Sequence, residues 1–242
     1  MDIIGVYLKE ALGRAGCPVC YLLDKYEKSS IETILYEHVN DPFVREKFAE
    51  SLGLCPYHAW KLKEIASSNP LYGGLGIAVI YEHMLSLYLK SLQKGEKIEE
   101  KECYLCKAVK EKEHDVVETF AERLNELLED YKNSEAVLCK RHYELINSLL
   151  GEDTSLIESL REIQIEKLEG IREKMRKFIE KFDYRSREAP TQKEALAVLL
   201  AIESLKGLPL GVNFVKREKT GHFWRDFSWP WRLEFQRKNS KR

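Results

Sequence analysis

The sequence predicts an all-α protein built from a duplicated helical-hairpin unit and packed into one bundle-like domain. Three observations lead there. Apolar residues recur at three- and four-residue steps through most of the chain, the period of a helix with one buried face. No strand-and-turn alternation stands ahead of the C-terminal tail. A motif of three cysteines and one histidine, C-x2-C followed by C-x2-H, occurs twice.

Each element has its own warrant. "DIIGVYLKEALGR" places Ile3, Val6, Tyr7, Leu8 and Leu12 at helical spacing, with Asp2 as N-cap. A second helix runs from Cys20 to about His38, where Asn40-Asp41-Pro42 breaks it and opens a third with proline in its first turn. The third ends near Gly53, a fourth spans Pro56 to about Ser67, and the apolar stretch from Gly74 to Leu92 makes a fifth, closed near Gly95. In the second half, helices are expected at 104–131, 140–150, 155–182 and 191–206. Ser155 with Glu158 and Thr191 with Glu194 have capping-box spacing. Leu168, Ile171, Met175, Phe178 and Phe182 form a seam along the long helix, read as core packing.

The repeat is internal and nearly fixed in register. A shift of 86 lays Cys17 and Cys20 on Cys103 and Cys106, and Glu32-Thr33 on Glu118-Thr119. A shift of 84 lays "LCPYHAW" on "LCKRHYE", and so Cys55 and His58 on Cys139 and His142. Between dithiol and C-x2-H stand 34 residues in the first copy and 32 in the second, and no cysteine is left over. The implied organisation is a first repeat over 1–95, a second over 96–211 with extra C-terminal helices, and a basic aromatic tail over 212–242.

Three thiolates and one imidazole are a closed tetrahedral set of the kind zinc takes in structural sites. Each ligand pair sits at a helix start, where free N–H groups and the dipole favour thiolate. Two zinc ions per chain are therefore expected, on Cys17, Cys20, Cys55, His58, Cys103, Cys106, Cys139 and His142. Pairing within each repeat is expected, because an αα-hairpin carries Cys55 back towards Cys20; pairing one repeat's dithiol with the other's C-x2-H is the alternative. Lys107, Lys140 and Arg141 could offset the charge of the second set. An iron–sulfur cluster, thiol redox chemistry and plain disulfides remain open as other uses of the same cysteines. The c-type haem motif is excluded, since Tyr21 and Lys107 stand where its histidine would be.

Other candidates carry less. His38, His83, His114 and His222 lack the Glu-x-x-His pattern of a carboxylate metal bundle. Glu32 and Glu118 read as helix-surface carboxylates, and Gly73, Gly74 and Gly76 as close packing or a loop end, because no phosphate-loop fingerprint surrounds them. No nucleophile–base order marks an enzyme. A non-enzymatic interaction or scaffold protein is the expected role.

Composition bounds the rest. With 44% hydrophobic and 33% charged residues the chain is a foldable soluble type, and its Glu- and Lys-rich balance has a thermophile-like cast. No apolar run approaches the ~18 residues of a membrane span and no secretory layout opens the chain, so a cytoplasmic setting is expected. The net charge of −1 divides unevenly: residues 212–242 hold nine Lys/Arg against three Asp/Glu. Trp224, Trp229 and Trp231 lie there with interleaved arginines, a segment suited to a second copy or a protein partner and less well to nucleic acid.

"LKEALGRAGCPVCYLL", "LYEHVNDPFVREKFAESLGLCPYHAW", "GLGIAVIYEHML" and "FIEKFDYRSREAP" resemble the bacterial and archaeal family known as domain of unknown function 6062. The resemblance spans residue 8 to about 207 and implies two dithiols, each followed by C-x2-H, on the eight residues named above. It also marks Asp183-Tyr184-Arg185, without a role, and implies no activity. The chain departs from the family style in lacking proline after Cys103 and Cys139, and in its aromatic tail.

Overall fold

The computed structural model describes residues 3–69, 71–184 and 186–208. The expected Asp2 cap, Arg185 and everything inferred for 212–242, His222 included, lie outside the described residues. Among the described residues there are ten α-helices and no strand: α1 Ile3–Leu12, α2 Pro18–Tyr36, α3 Pro42–Glu50, α4 Pro56–Ser68, α5 Leu75–Lys94, α6 Tyr104–Glu122, α7 Leu124–Asn133, α8 Lys140–Leu149, α9 Thr154–Glu180 and α10 Gln192–Lys206. None of these is long and apolar enough to cross a membrane.

Local chemistry sets most boundaries. Proline opens α2, α3 and α4, where its missing N–H leaves no donor unsatisfied. Asp41 caps α3 by accepting from Val44 N at 2.9 Å. The Thr191–Glu194 capping box is formed. At α9 the cap is Asp153, which accepts from Leu156 N at 3.0 Å, so the Ser155–Glu158 pair is not the helix start. The single helix expected over 104–131 is two helices, α6 and α7, hinged at Arg123. Val116, Phe120, Leu124, Leu127 and Tyr131 are all buried, so the apolar period runs through the hinge without a break.

The duplication is visible in three dimensions. The two helices that follow the dithiols, α2 and α6, are each 19 residues long and pack together. Around them, Ile31, Leu35, Phe48, Leu62, Ile80 and Met84 fill the core of the first half. In the second half α10 packs on α9, where Val137, Ile171, Ala197 and Leu200 form a separate cluster. The α10 helix has no counterpart in the first repeat. The chain segments ahead of the cysteines meet across the repeats: Val137 N donates to Gly16 O at 3.0 Å, and Lys101 N to Glu50 O at 2.9 Å.

Candidate metal centres

The eight cysteine and histidine residues gather into two Cys3His groups, each able to hold a metal ion. Centre 1 is Cys17, Cys20, Cys139 and His142; centre 2 is Cys55, His58, Cys103 and Cys106. In each, the four ligand atoms lie within 4.8 Å of one another. Cys20 Sγ and Cys139 Sγ are 3.7 Å apart, and Cys55 Sγ and Cys106 Sγ 3.6 Å. The Nδ1 of His142 lies 3.3, 3.3 and 3.2 Å from the sulfurs of Cys17, Cys20 and Cys139. That of His58 lies 3.2, 3.6 and 3.4 Å from Cys55, Cys103 and Cys106. A tetrahedral ion with metal–sulfur bonds of about 2.3 Å and metal–nitrogen bonds of about 2.0 Å sets the sulfurs about 3.8 Å from one another and about 3.5 Å from the nitrogen. The donor sets fit such an ion. All six cysteines are free thiols.

Each centre draws on both repeats, which corrects the expected pairing within a repeat. The reason is the unequal arms of the hairpin. The outgoing α2 has 19 residues and the returning α3 only nine, about 28 Å against about 13 Å at 1.5 Å per residue. The return therefore stops about 15 Å short of the start of α2, roughly ten residues along it. Cys55 and His58 arrive beside Glu27 and not beside Cys20. The start of α6 lies at that level, because α2 and α6 run antiparallel: His58 touches Cys106 of α6 and Glu27 of α2, and His142 touches Cys20 of α2 and Glu113 of α6.

Those two glutamates are the functional residues that the sequence reading missed. Glu27 and Glu113 are related by the same shift of 86 that relates the dithiols. The Oε1 of Glu27 lies 2.8 Å from His58 Nε2, an ion-pair contact rather than an aligned hydrogen bond. Its Oε2 accepts from Lys61 Nζ at 2.8 Å. Glu113 Oε1 lies 3.0 Å from His142 Nε2, and its two oxygens take a bidentate pair from Arg141 at 2.7 and 2.6 Å. A carboxylate stands behind each imidazole at Nε2, while Nδ1 faces the three sulfurs, the orientation in which it could bind an ion. Glu32 and Glu118, the repeat-matched pair noticed in sequence, touch neither centre; Glu118 stands 3.9 Å from the exposed His114. Arg141 acts through Glu113, whereas Lys107 and Lys140 pair loosely with Glu111 and Glu144 on the surface.

The protonation pattern suits a cation. Burial pushes His58 down, but contacts with Cys103 and Glu27 outweigh it and raise the imidazole to about 10. His142 rises to about 11 against burial, through Cys139, Cys20 and Glu113. Cys103 falls to about 6, burial being overcome by His58 and by the N–H groups of Cys55 and Cys106. Cys17 is pushed up by burial and by its neighbouring sulfurs, while Cys139 is held far down by contacts from Cys17 and Cys20. Protons and thiolates thus share each cluster, and a divalent ion binding there displaces the protons. Glu113 stays charged, held to about 2 by Arg141 and His142.

The two centres differ in cover. All four residues of centre 1 are buried. Glu203 of α10 accepts from Cys17 N at 2.8 Å, Leu208 N lies 3.5 Å from Cys20 Sγ, and a Cβ on Gly207 would sit 3.5 Å from the same sulfur. In centre 2, Cys103 and His58 are buried but Cys55 and Cys106 are half-buried. Among the described residues, His38, His83 and His114 belong to neither centre; His38, for instance, stands 4.0 Å from Glu37 on the surface.

No curated protein and no solved structure matches the chain. One family model matches it twice, over residues 2–99 and 89–209, each match covering one C-x2-C and one C-x2-H. The chain therefore belongs to the family of unknown function DUF6062 and carries that family's unit in two copies.

Proposed function

We propose that the protein is a non-enzymatic helical scaffold whose two repeats are fastened together by two zinc ions. The observation that carries this is the pair of closed donor sets, each of three sulfurs and one carboxylate-backed imidazole taken from both repeats. Four protein ligands leave no position for a substrate or an activated water, the mark of a structural rather than a catalytic zinc site. Ligand atoms within 4.8 Å suit one ion, since a cluster of several irons would stand between the sulfurs and spread them. A reducing, cytoplasmic setting is part of this reading, because six unpaired thiols survive there.

The scaffold role rests on exposed apolar surface. Leu85, Leu89 and Leu92 stand at helical spacing on α5, each more than half exposed, and Trp60 of α4 is 72% exposed. The repeats divide near residue 95, and the basic aromatic segment 212–242 is the proposed contact for a second copy or a protein partner.

Elemental analysis of protein purified without added metal tests the reading. Two zinc ions per chain in a colourless solution are expected. Iron with visible absorption, or no bound metal, would overturn it.

A further inference from the structure

We propose that the two centres have different chemistry: centre 1 is a sealed structural clamp, and centre 2 is a modification site for hydroperoxides. This rests on the zinc reading above. The ligand sets are the same, so the difference comes from what lies over them. Centre 1 is closed by the end of α10, through Glu203 at Cys17 N, Gly207 against Cys20 and Cys139, and Leu208 N at Cys20 Sγ. None of its sulfurs belongs to a residue more than 3% exposed. Centre 2 takes its C-x2-H from the first repeat, which has no counterpart of α10, and two of its thiolates, Cys55 and Cys106, are half-buried. Those two sulfurs are 3.6 Å apart and come from different helix starts, at α4 and α6.

Oxidation of a thiolate follows its nucleophilic character and its access to solvent. In centre 2 one half-buried thiolate attacks a peroxide oxygen; the O–O bond breaks, and the thiolate becomes a sulfenic acid while the second oxygen leaves as hydroxide. The neighbouring thiolate attacks that sulfur, forming the Cys55–Cys106 disulfide and expelling a second hydroxide. Two thiolates are oxidised by two electrons and one hydroperoxide is reduced. With two ligands spent, the ion leaves, and the new bond still ties the two repeats together.

The test uses the full-length, zinc-loaded chain. Hydrogen peroxide is added at one to ten equivalents, released zinc is followed with a chromogenic chelator, and disulfides are mapped by mass spectrometry of peptides. One zinc equivalent is expected to leave at least ten-fold faster than the second, together with a Cys55–Cys106 disulfide peptide. Equal release of both ions, or early disulfides among Cys17, Cys20 and Cys139, would overturn the assignment. C106S is expected to keep one zinc, released only at the slow rate; fast release from this variant would also overturn it. A chain that holds no zinc before peroxide is added overturns the underlying metal reading, a failure distinct from equal release of two bound ions.

Discussion

Replacing Gly16 with alanine should destabilise the protein sharply, and the size of the effect follows from the contacts of one atom. Gly16 has φ +101°, a backbone conformation in which a side chain is strained by about 1–3 kcal/mol. A Cβ there would stand 2.5 and 2.7 Å from the two carboxylate oxygens of Glu203. Glu203 is 3% exposed and accepts the Cys17 N–H, so moving it aside breaks a buried charge-assisted bond that contributes about 1.5–3 kcal/mol. Together these give a loss of about 2.5–6 kcal/mol, a large share of a total stability of about 5–15 kcal/mol. Gly170 is the internal control. It lies inside α9 with nothing within 4 Å of its Cβ position, so G170A should stabilise by about 0.5–1 kcal/mol. Urea unfolding of the zinc-loaded proteins, read by circular dichroism, gives both values. A loss below about 1 kcal/mol for G16A would refute the reasoning, because it would mean that neither the turn at Gly16 nor the Glu203 contact is fixed in the folded state.

Three further outcomes are expected. E27Q removes the charge behind His58 and should weaken zinc at centre 2 by about 10–100-fold in chelator competition, with centre 1 unchanged; equal weakening of both centres would contradict the placement of Glu27. Y131F strips a buried hydroxyl that donates to Gln164 and accepts from Leu138 N at 3.1 Å, just ahead of Cys139. It should lower stability by about 1–3 kcal/mol in urea while both zinc ions stay bound. Chelation of both ions should lower the melting temperature by roughly 10–20 °C, since each site contributes about 2.7 kcal/mol when free zinc stands at 100 times its Kd. An unchanged melting temperature in the chelated protein would show that the ions are not part of the folded core.

What the sequence revealed depended on how local the signal was. The starts of α3, α4 and α10 were legible because proline and the Thr191–Glu194 pair act within one turn. The hinge at Arg123 was not, because an apolar period that continues across it gives no mark where the helix axis turns. The eight cysteine and histidine residues stood out by repetition, yet their partition into two groups did not. Spacing along the chain says which ligands exist, while the partition depends on the difference between a 19-residue arm and a nine-residue return. Glu27 and Glu113 lie in charged stretches, "LLDKYEK" and "KEKEHD", where no local pattern singles them out, although the 86-residue shift relates them as closely as it does the dithiols. The cover that α10 gives centre 1 arises from a tertiary contact between Leu208 and Cys20, 188 positions apart, and no local pattern carries it.

The cross-repeat fastening is tested most directly by counting tightly held zinc in two double variants. C20S/C139S removes two ligands from centre 1 and none from centre 2, whereas C20S/C55S removes one ligand from each. After dialysis against a competing chelator, C20S/C139S should retain one zinc per chain and C20S/C55S none. The reverse result, with zinc kept by C20S/C55S and lost from C20S/C139S, would show that each repeat closes its own site.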